Sequence, residues 1–212
     1  MNAISRAPSS LKVEPLVEAI CEIRFRSRLP VSRLLPGVLY EDFKGDALLA
    51  VAQLPAAELP SAMRANDANL RYVPVVEVRT SGGVVRLSDS SVLVSAPLPY
   101  RGWTQFHSFI SKVMNVLFRV GPMDFVERIA LKYVDFLRAD YFRRIKLLDA
   151  IQFELKIGGL VMGGRSTEIK SEMKVDDLVH IIEICIGVMQ IISRPEAANA
   201  QEHTRGLLLT ID

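Results

Sequence analysis

Carboxylates that face one another across a β-ladder can share a proton or hold a cation, and this sequence offers one such set. Glu18 and Glu22 share a strand face with Arg24 in LVEAICEIRF, and Glu127 and Asp135 lie on VERIALKYVDF, a second strand whose pattern allows it to stand near the first. Carboxylates held within a few ångströms shift one another's pKa or chelate. On a solvated sheet face they more often pair with Arg or Lys across strands, and that structural role is the one expected of Glu18 and Glu127.

The three histidines, His107, His180 and His203, have no second His or Cys at a metal-ligand spacing. Asp176 and His180 share a face whether the segment is helical or extended, which would orient an acid–base histidine; a loop end feeding a buried strand is the plainer reading. GGLVMGGRS, Gly158 to Ser166, lacks the Gly-Lys-Ser/Thr of a phosphate loop and has no helix after it to aim amides at a phosphate. A hairpin is expected there. No catalytic residue, metal site or cofactor is expected anywhere in the chain.

Two basic clusters remain. Arg24, Arg26, Arg28 and Arg33 form one, and Arg138, Arg143, Arg144 and Lys146 the other, with Tyr141 and Phe142 interleaved. Charges for phosphates and rings for bases would suit single-stranded nucleic acid, with Arg24, Arg26, Arg143 and Arg144 as contacts. However, 26 Lys and Arg stand against 24 Asp and Glu, too small an excess for broad electrostatic binding. A solvated face is preferred, and RNA or DNA binding is kept as an alternative.

PLPYRGWTQFH, Pro97 to His107, holds the single tryptophan. Trp103, Phe106, Ile110, Val113 and Leu117 recur at steps of three and four, which predicts a helix over Gly102–Arg119 with the Trp103 ring directed into the core. On that reading Trp103→Ala costs about 3–5 kcal/mol. Pro97 and Pro99 end the preceding strand and Gly102 allows the sharp turn. Tyr100 and Arg101 are left as the exposed pair and candidate binding residues.

The elements that must position these groups follow from periodicity. LVEAICEIRF alternates, placing Val17, Ala19, Cys21, Ile23 and Phe25 on one face. Pro36 suits a first helical turn and Gly45 a stop, so a short helix is expected over Pro36–Lys44, and Ala50–Asn69 has no clear period. RYVPVVEVRT, VVRL and SVLVSA form a meander, with Pro74 at an edge or bulge. Asp140 opens a second expected helix carrying Phe142, Ile145 and Leu147 or Leu148 inward. QFELKI, STEIKSEMKV, Leu178–Ile192 and GLLLTID complete the strands. The fold class is α+β: a large, mainly antiparallel or mixed sheet with two to three helices on one face. Residues 1–12 are expected to be disordered, and 13–212 to form one domain. PLVEAI and DFVERI share Val-Glu-x-Ile, but aligning them sets apolar positions against polar ones, so a duplication is not adopted.

Cys21 and Cys185 sit in apolar runs as buried hydrophobes. The N-terminus lacks the apolar core of a signal peptide, and His180 and Glu183 interrupt the longest apolar run. A cytoplasmic protein with no membrane partner is expected.

PLVEAICEIRF, PGVLY, PYRGW and ERIALKYVDF, in that order between Pro15 and Phe136, together resemble a sporadically distributed family of uncharacterised bacterial proteins with PxVEAxxEIRF, PYxGW and ERIGLRYxNR-like motifs. The resemblance implies architecture and supplies no catalytic residues. It also implies a further helical segment after the GLLLTID-like strand, whereas this chain ends at Asp212, and Asp135-Phe136 replaces the Asn-Arg pair that closes the third motif. The functional expectation is a non-enzymatic binding or protein-interaction module, defence-related or accessory, with a protein partner or self-association at an uncovered edge. An enzyme with a carboxylate or His180 site is the second alternative.

Overall fold

Alternation in LVEAICEIRF builds β1 (Leu16–Ser27), with Ala19, Cys21, Ile23 and Phe25 all buried. Val17, expected on the same face, is exposed. The ladder slips by one residue between Leu16 and Glu18, and such a bulge turns the chain before it to the opposite face. Leu16 packs against the core instead.

The first helix begins earlier than expected: α1 spans Val31–Asp42 and carries Pro36 inside it. Its buried stripe explains the start, since Val31, Leu35 and Leu39 lie at four-residue steps and are fully buried. Each contributes about 1.5–3 kcal/mol, together more than the ~3 kcal/mol that an interior proline costs. The unpatterned stretch beyond it holds β2 (Ala50–Gln53), a 3-10 turn and the short α2 (Ser61–Asn66), none with a buried residue. The meander follows as β3 (Val76–Thr80), β4 (Gly83–Leu87) and β5 (Ser91–Ser95), with Pro74 just outside it.

The amphipathic period then gives α3 (Trp103–Val120), burying Phe106, Phe109, Ile110, Val113, Val116 and Leu117. Phe109 lies directly on the β3–β4 turn, where a Cβ on Gly82 would meet its ring at 2.7 Å and one on Gly83 at 2.8 Å. Gly83 also has φ of 145°, so the turn requires glycine on both counts.

The computed structural model describes residues 14–120, 123–139, 155–158, 160–162, 167–191 and 202–212. The disordered segment expected before Val13 and the helix expected from Asp140 lie outside the described residues, and so do Arg143 and Arg144. The remaining strands are β6 (Met123–Arg138), β7 (Leu155–Ile157), β8 (Leu160–Met162), β9 (Thr167–Val175), β10 (Leu178–Ile191) and β11 (Glu202–Ile211). β7 and β8 pair as a separate hairpin about Gly158. The others form one nine-stranded sheet in the order β2-β3-β4-β5-β1-β6-β11-β10-β9, with every pairing antiparallel. The α+β class with a large antiparallel sheet is thus observed.

The strand order repeats. β1 pairs with the last strand of the β3–β4–β5 meander, and β6 pairs with the last strand of the β9–β10–β11 meander. Each meander opens with a hairpin of two-residue turn, Ser81-Gly82 in one and Asp176-Asp177 in the other. The regular β1–β6 pairs from Glu18–Val134 to Arg24–Arg128 are flanked at one end by a bulge on β1 at Val17 and at the other by a bulge on β6 at Glu127. Two halves related about the Cys21–Leu131 pair account for all of this. The correspondence differs by one residue from the Val-Glu-x-Ile alignment, which removes the disagreement of faces that alignment produced.

Helices α1 and α3 cover one side of β1–β5, here the helix face, where they enclose the main core. Trp103 corrects an expectation: it is 49 % exposed. Its phase on the stripe is right, but Tyr100 occupies the space beneath the helix start, its ring edge-on to Phe106 and Tyr133. Trp103 is left against Phe106 and His107 at the surface. Tyr100 is correspondingly part-buried rather than exposed, and only Arg101 stays in solvent. Phe106, 2 % exposed, is therefore the anchor: Phe106→Ala should cost about 3–5 kcal/mol in urea denaturation and Trp103→Ala about half as much or less, and equal losses would contradict this assignment.

Candidate functional site

The β1–β6 ladder brings the expected carboxylates onto adjacent strands but not onto one another. On the outer face, Glu22 accepts from Arg24 at 3.0 Å and Arg128 at 3.4 Å, and Arg128 continues to Asp212 at 2.8 Å. Glu127, the bulge residue, accepts from Arg26 Nε at 2.8 Å and from the Tyr72 hydroxyl at 2.7 Å, with Arg71 at 3.7 Å. Glu18 stands opposite Val134. Asp135 faces Leu16 and Leu209, where burial first and the charge of Glu14 second push its carboxyl above the ordinary range. Glu22 and Glu127 are held in ion pairs, Glu18 and Asp135 stand apart from them, and the four do not form a proton-sharing dyad.

The N-terminal arginine cluster is engaged by the same network. Arg24 stacks over the Tyr72 ring at 4.5 Å while bonding Glu22, and Arg28 pairs with Asp124 at 3.1 Å. Arg24, Arg26 and Arg28 are thus each matched by a carboxylate. Tyr72 was not legible as a member of this network: it reads as the start of an apolar strand, and only the adjacent Arg71 hints at a charged surrounding.

Tyr100, Arg101 and Gly102 line a cleft of about 290 Å³ with Phe43, Asp46, Ser81, Gln105 and Lys112. Gly102 turns the chain with φ of 94°. Asp46 accepts from the Ser81 hydroxyl at 2.6 Å and its amide at 2.9 Å, bonds that hold its carboxyl below the ordinary range, the hydroxyl first. The Lys112 ammonium sits 4.0 Å over the Phe43 ring. Burial and the bond to Tyr133 raise the Tyr100 phenol. The Lys112–Phe43 contact and the packing of Phe109 on Gly82 and Gly83 fasten α3 to the elements around the β3–β4 turn.

A further opening among the described residues lies on the second half of the sheet. Beyond the end of β11, a groove of about 1050 Å³ runs between β6 and β10, lined by Arg128, Ile129, Leu131, Leu178, Val179 and His180 among others. The helix face beside it carries exposed apolar side chains. Ile129 is 69 % exposed, Leu178 64 %, Val175 53 %, Met173 45 % and Ile211 41 %. By the ladder registers their counterparts in the first half are Ala19, Gly83, Thr80, Val78 and Val92, every one buried. His180 stands on this face opposite Met173, while Asp176 sits in the turn with φ of 55°, so the two do not form an acid–base pair.

Among the described residues no group of three or more His, Cys, Asp or Glu is arranged to hold a metal, and no helix is long and apolar enough to cross a membrane. No family model matches the chain, and no curated protein matches it.

The hydrogen bond from Arg26 and then that from Tyr72 hold Glu127 below the ordinary carboxylate range. A carboxyl so lowered stabilises the fold above its unfolded-state value of about 4.3 and loses that contribution as pH falls through the lower folded value. Glu127→Gln should therefore flatten the loss of stability below about pH 4.3, followed as urea midpoints against pH; an acid limb identical to wild type would show the network to be energetically silent.

Proposed function

We propose that the chain is a non-enzymatic polypeptide-binding module whose contact surface is the exposed apolar part of the helix face of β6, β11, β10 and β9. One observation carries this reading: the counterparts of the buried Ala19, Val78, Thr80, Gly83 and Val92 are the exposed Ile129, Met173, Val175, Leu178 and Ile211. Contiguous exposed apolar surface of this kind marks interaction sites in folded proteins. Glu22 and Glu127 are engaged in ion pairs, Asp46 of the corner cleft is held by Ser81, and among the described residues neither place brings two carboxylates together as a reactive pair. Nucleic-acid binding would draw on Arg24, Arg26, Arg143 and Arg144; the first two already hold carboxylates, and the other two lie outside the described residues. A defence-related or accessory role in bacteria is compatible with such a module by analogy with the sporadic distribution of the family it resembles.

Selection of a displayed library of random peptides against the immobilised protein tests the reading. Enriched sequences should compete with one another and lose binding to Ile129→Glu, a substitution at a solvent-exposed position. Enrichment of nothing, or of binders indifferent to that substitution, would overturn it.

A further inference from the structure

We propose that the cleft at the start of α3 is a binding site for a small organic acid, a single-ring carboxylate whose acid group is held by Arg101. The site lies wholly on the first half of the sheet and goes beyond the polypeptide-binding reading without resting on it. Its shape comes from the helix period. Arg101, Gln105, Ser108 and Lys112 follow one another at steps of four, three and four, so they line one side of α3 and the residue before it. Phe43, Asp46 and the Ser81-Gly82 turn form the facing wall.

Charge sets the sign of the ligand. Two cations, Arg101 and Lys112, stand against one carboxylate, Asp46, which leaves the cleft one positive charge in excess. Both oxygens of Asp46 are already bonded, Oδ2 to the Ser81 hydroxyl and amide and Oδ1 to the Leu48 amide at 2.9 Å. The Lys112 ammonium lies over the Phe43 ring, in the field of Asp46. Among the described residues Arg101 has no such companion: it is exposed, and no carboxylate stands at ion-pair distance from it. Beside it the cleft is open, since a Cβ on Gly102 would meet nothing within 4 Å. A guanidinium there can close on a carboxylate with two parallel hydrogen bonds.

Size and lining set the rest of the ligand. A volume of about 290 Å³ is that of about ten waters at ~30 Å³ each, room for one ring and a short acid arm but not for a nucleotide or a peptide segment. Phe43, Tyr100, Phe106 and Phe109 all line it, so the body of the ligand meets carbon, while the Gln105 amide and the Ser108 hydroxyl, which bond no other described residue, are left to orient it. An apolar pocket with a few convergent polar groups is the ordinary form of a small-molecule site.

The test titrates the 212-residue protein with benzoate, phenylacetate and 3-phenylpropionate by ligand-observed NMR and calorimetry. Saturable binding of at least one acid is expected, with its uncharged amide, acetate and inorganic phosphate each at least tenfold weaker. Arg101→Ala, at an exposed position, should weaken binding at least tenfold with the circular dichroism spectrum unchanged. Ser108→Trp, also exposed, should fill the cleft and abolish binding, whereas Ile129→Glu on the other half should leave it unaltered. Binding indifferent to Arg101→Ala and Ser108→Trp, or no saturable binding of any of the three acids, overturns the site. Equal binding of phosphate or acetate overturns the ring, and equal binding of the amide overturns the acid. Each of these results leaves the polypeptide-binding reading where the displayed library puts it.

Discussion

The antiparallel ladder between β1 and β6 is the constraint on which the rest depends. It is the longest run of pairing between the two halves, and its register fixes which side chains of each half share a face. The bulges at Val17 and Glu127 bound its regular part, adding local twist at both ends. They also decide chemistry. The extra residue at Glu127 turns its carboxylate to the outer face, where Arg26, Arg71 and Tyr72 meet it. Without that bulge the carboxylate would point at the helix face, uncompensated beside Ile129.

The same ladder imposes an energetic asymmetry. Burying apolar surface yields about 25 cal/mol per Å², and the first half collects it by laying α1 and α3 over β1–β5. The second half keeps small buried clusters such as Ile184, Ile186 and Leu207 but leaves Ile129, Leu178 and Met173 in water. Its outer strand is guarded against edge pairing, since Glu168, Lys170, Glu172 and Lys174 alternate along β9 and Lys170 is bonded to Glu183 at 2.6 Å. Charge thus guards the β9 edge, while the exposed apolar side chains of the second half lie on its face.

Much of this was legible in the residues and some was not, for identifiable reasons. Period-two alternation located β1, β6 and the meanders, and the 3.6 period located α3, because burial on one face leaves a mark at every turn or pleat. The start of α1 was misread because proline prefers a first turn, while the Val31, Leu35, Leu39 stripe decides in the folded chain. Trp103 was misplaced because phase alone cannot register that Tyr100, outside the helix, fills the space below it. The repeat was visible as Val-Glu-x-Ile in both halves yet seemed inconsistent, because a β-bulge inserts one residue without any compositional signature and shifts the faces of everything beyond it. Tyr72 and the pairing of each arginine depend on contacts distant in sequence, which no local pattern encodes.

The residues that differ between corresponding positions bear on how the second face is used. Under α1 and α3 the central strand presents Ala19 and Cys21, and the β3–β4 turn presents Gly82 and Gly83, so backbone and helix approach closely. The second half presents Ile129, Leu131 and Leu178 at the matching points. Larger side chains hold a covering helix further from the sheet, and a more distant helix buries less of its own backbone and makes fewer contacts per turn. Close packing of the first kind belongs to a permanent core. The second face keeps these larger side chains in solvent, which is what the proposed binding role requires of it.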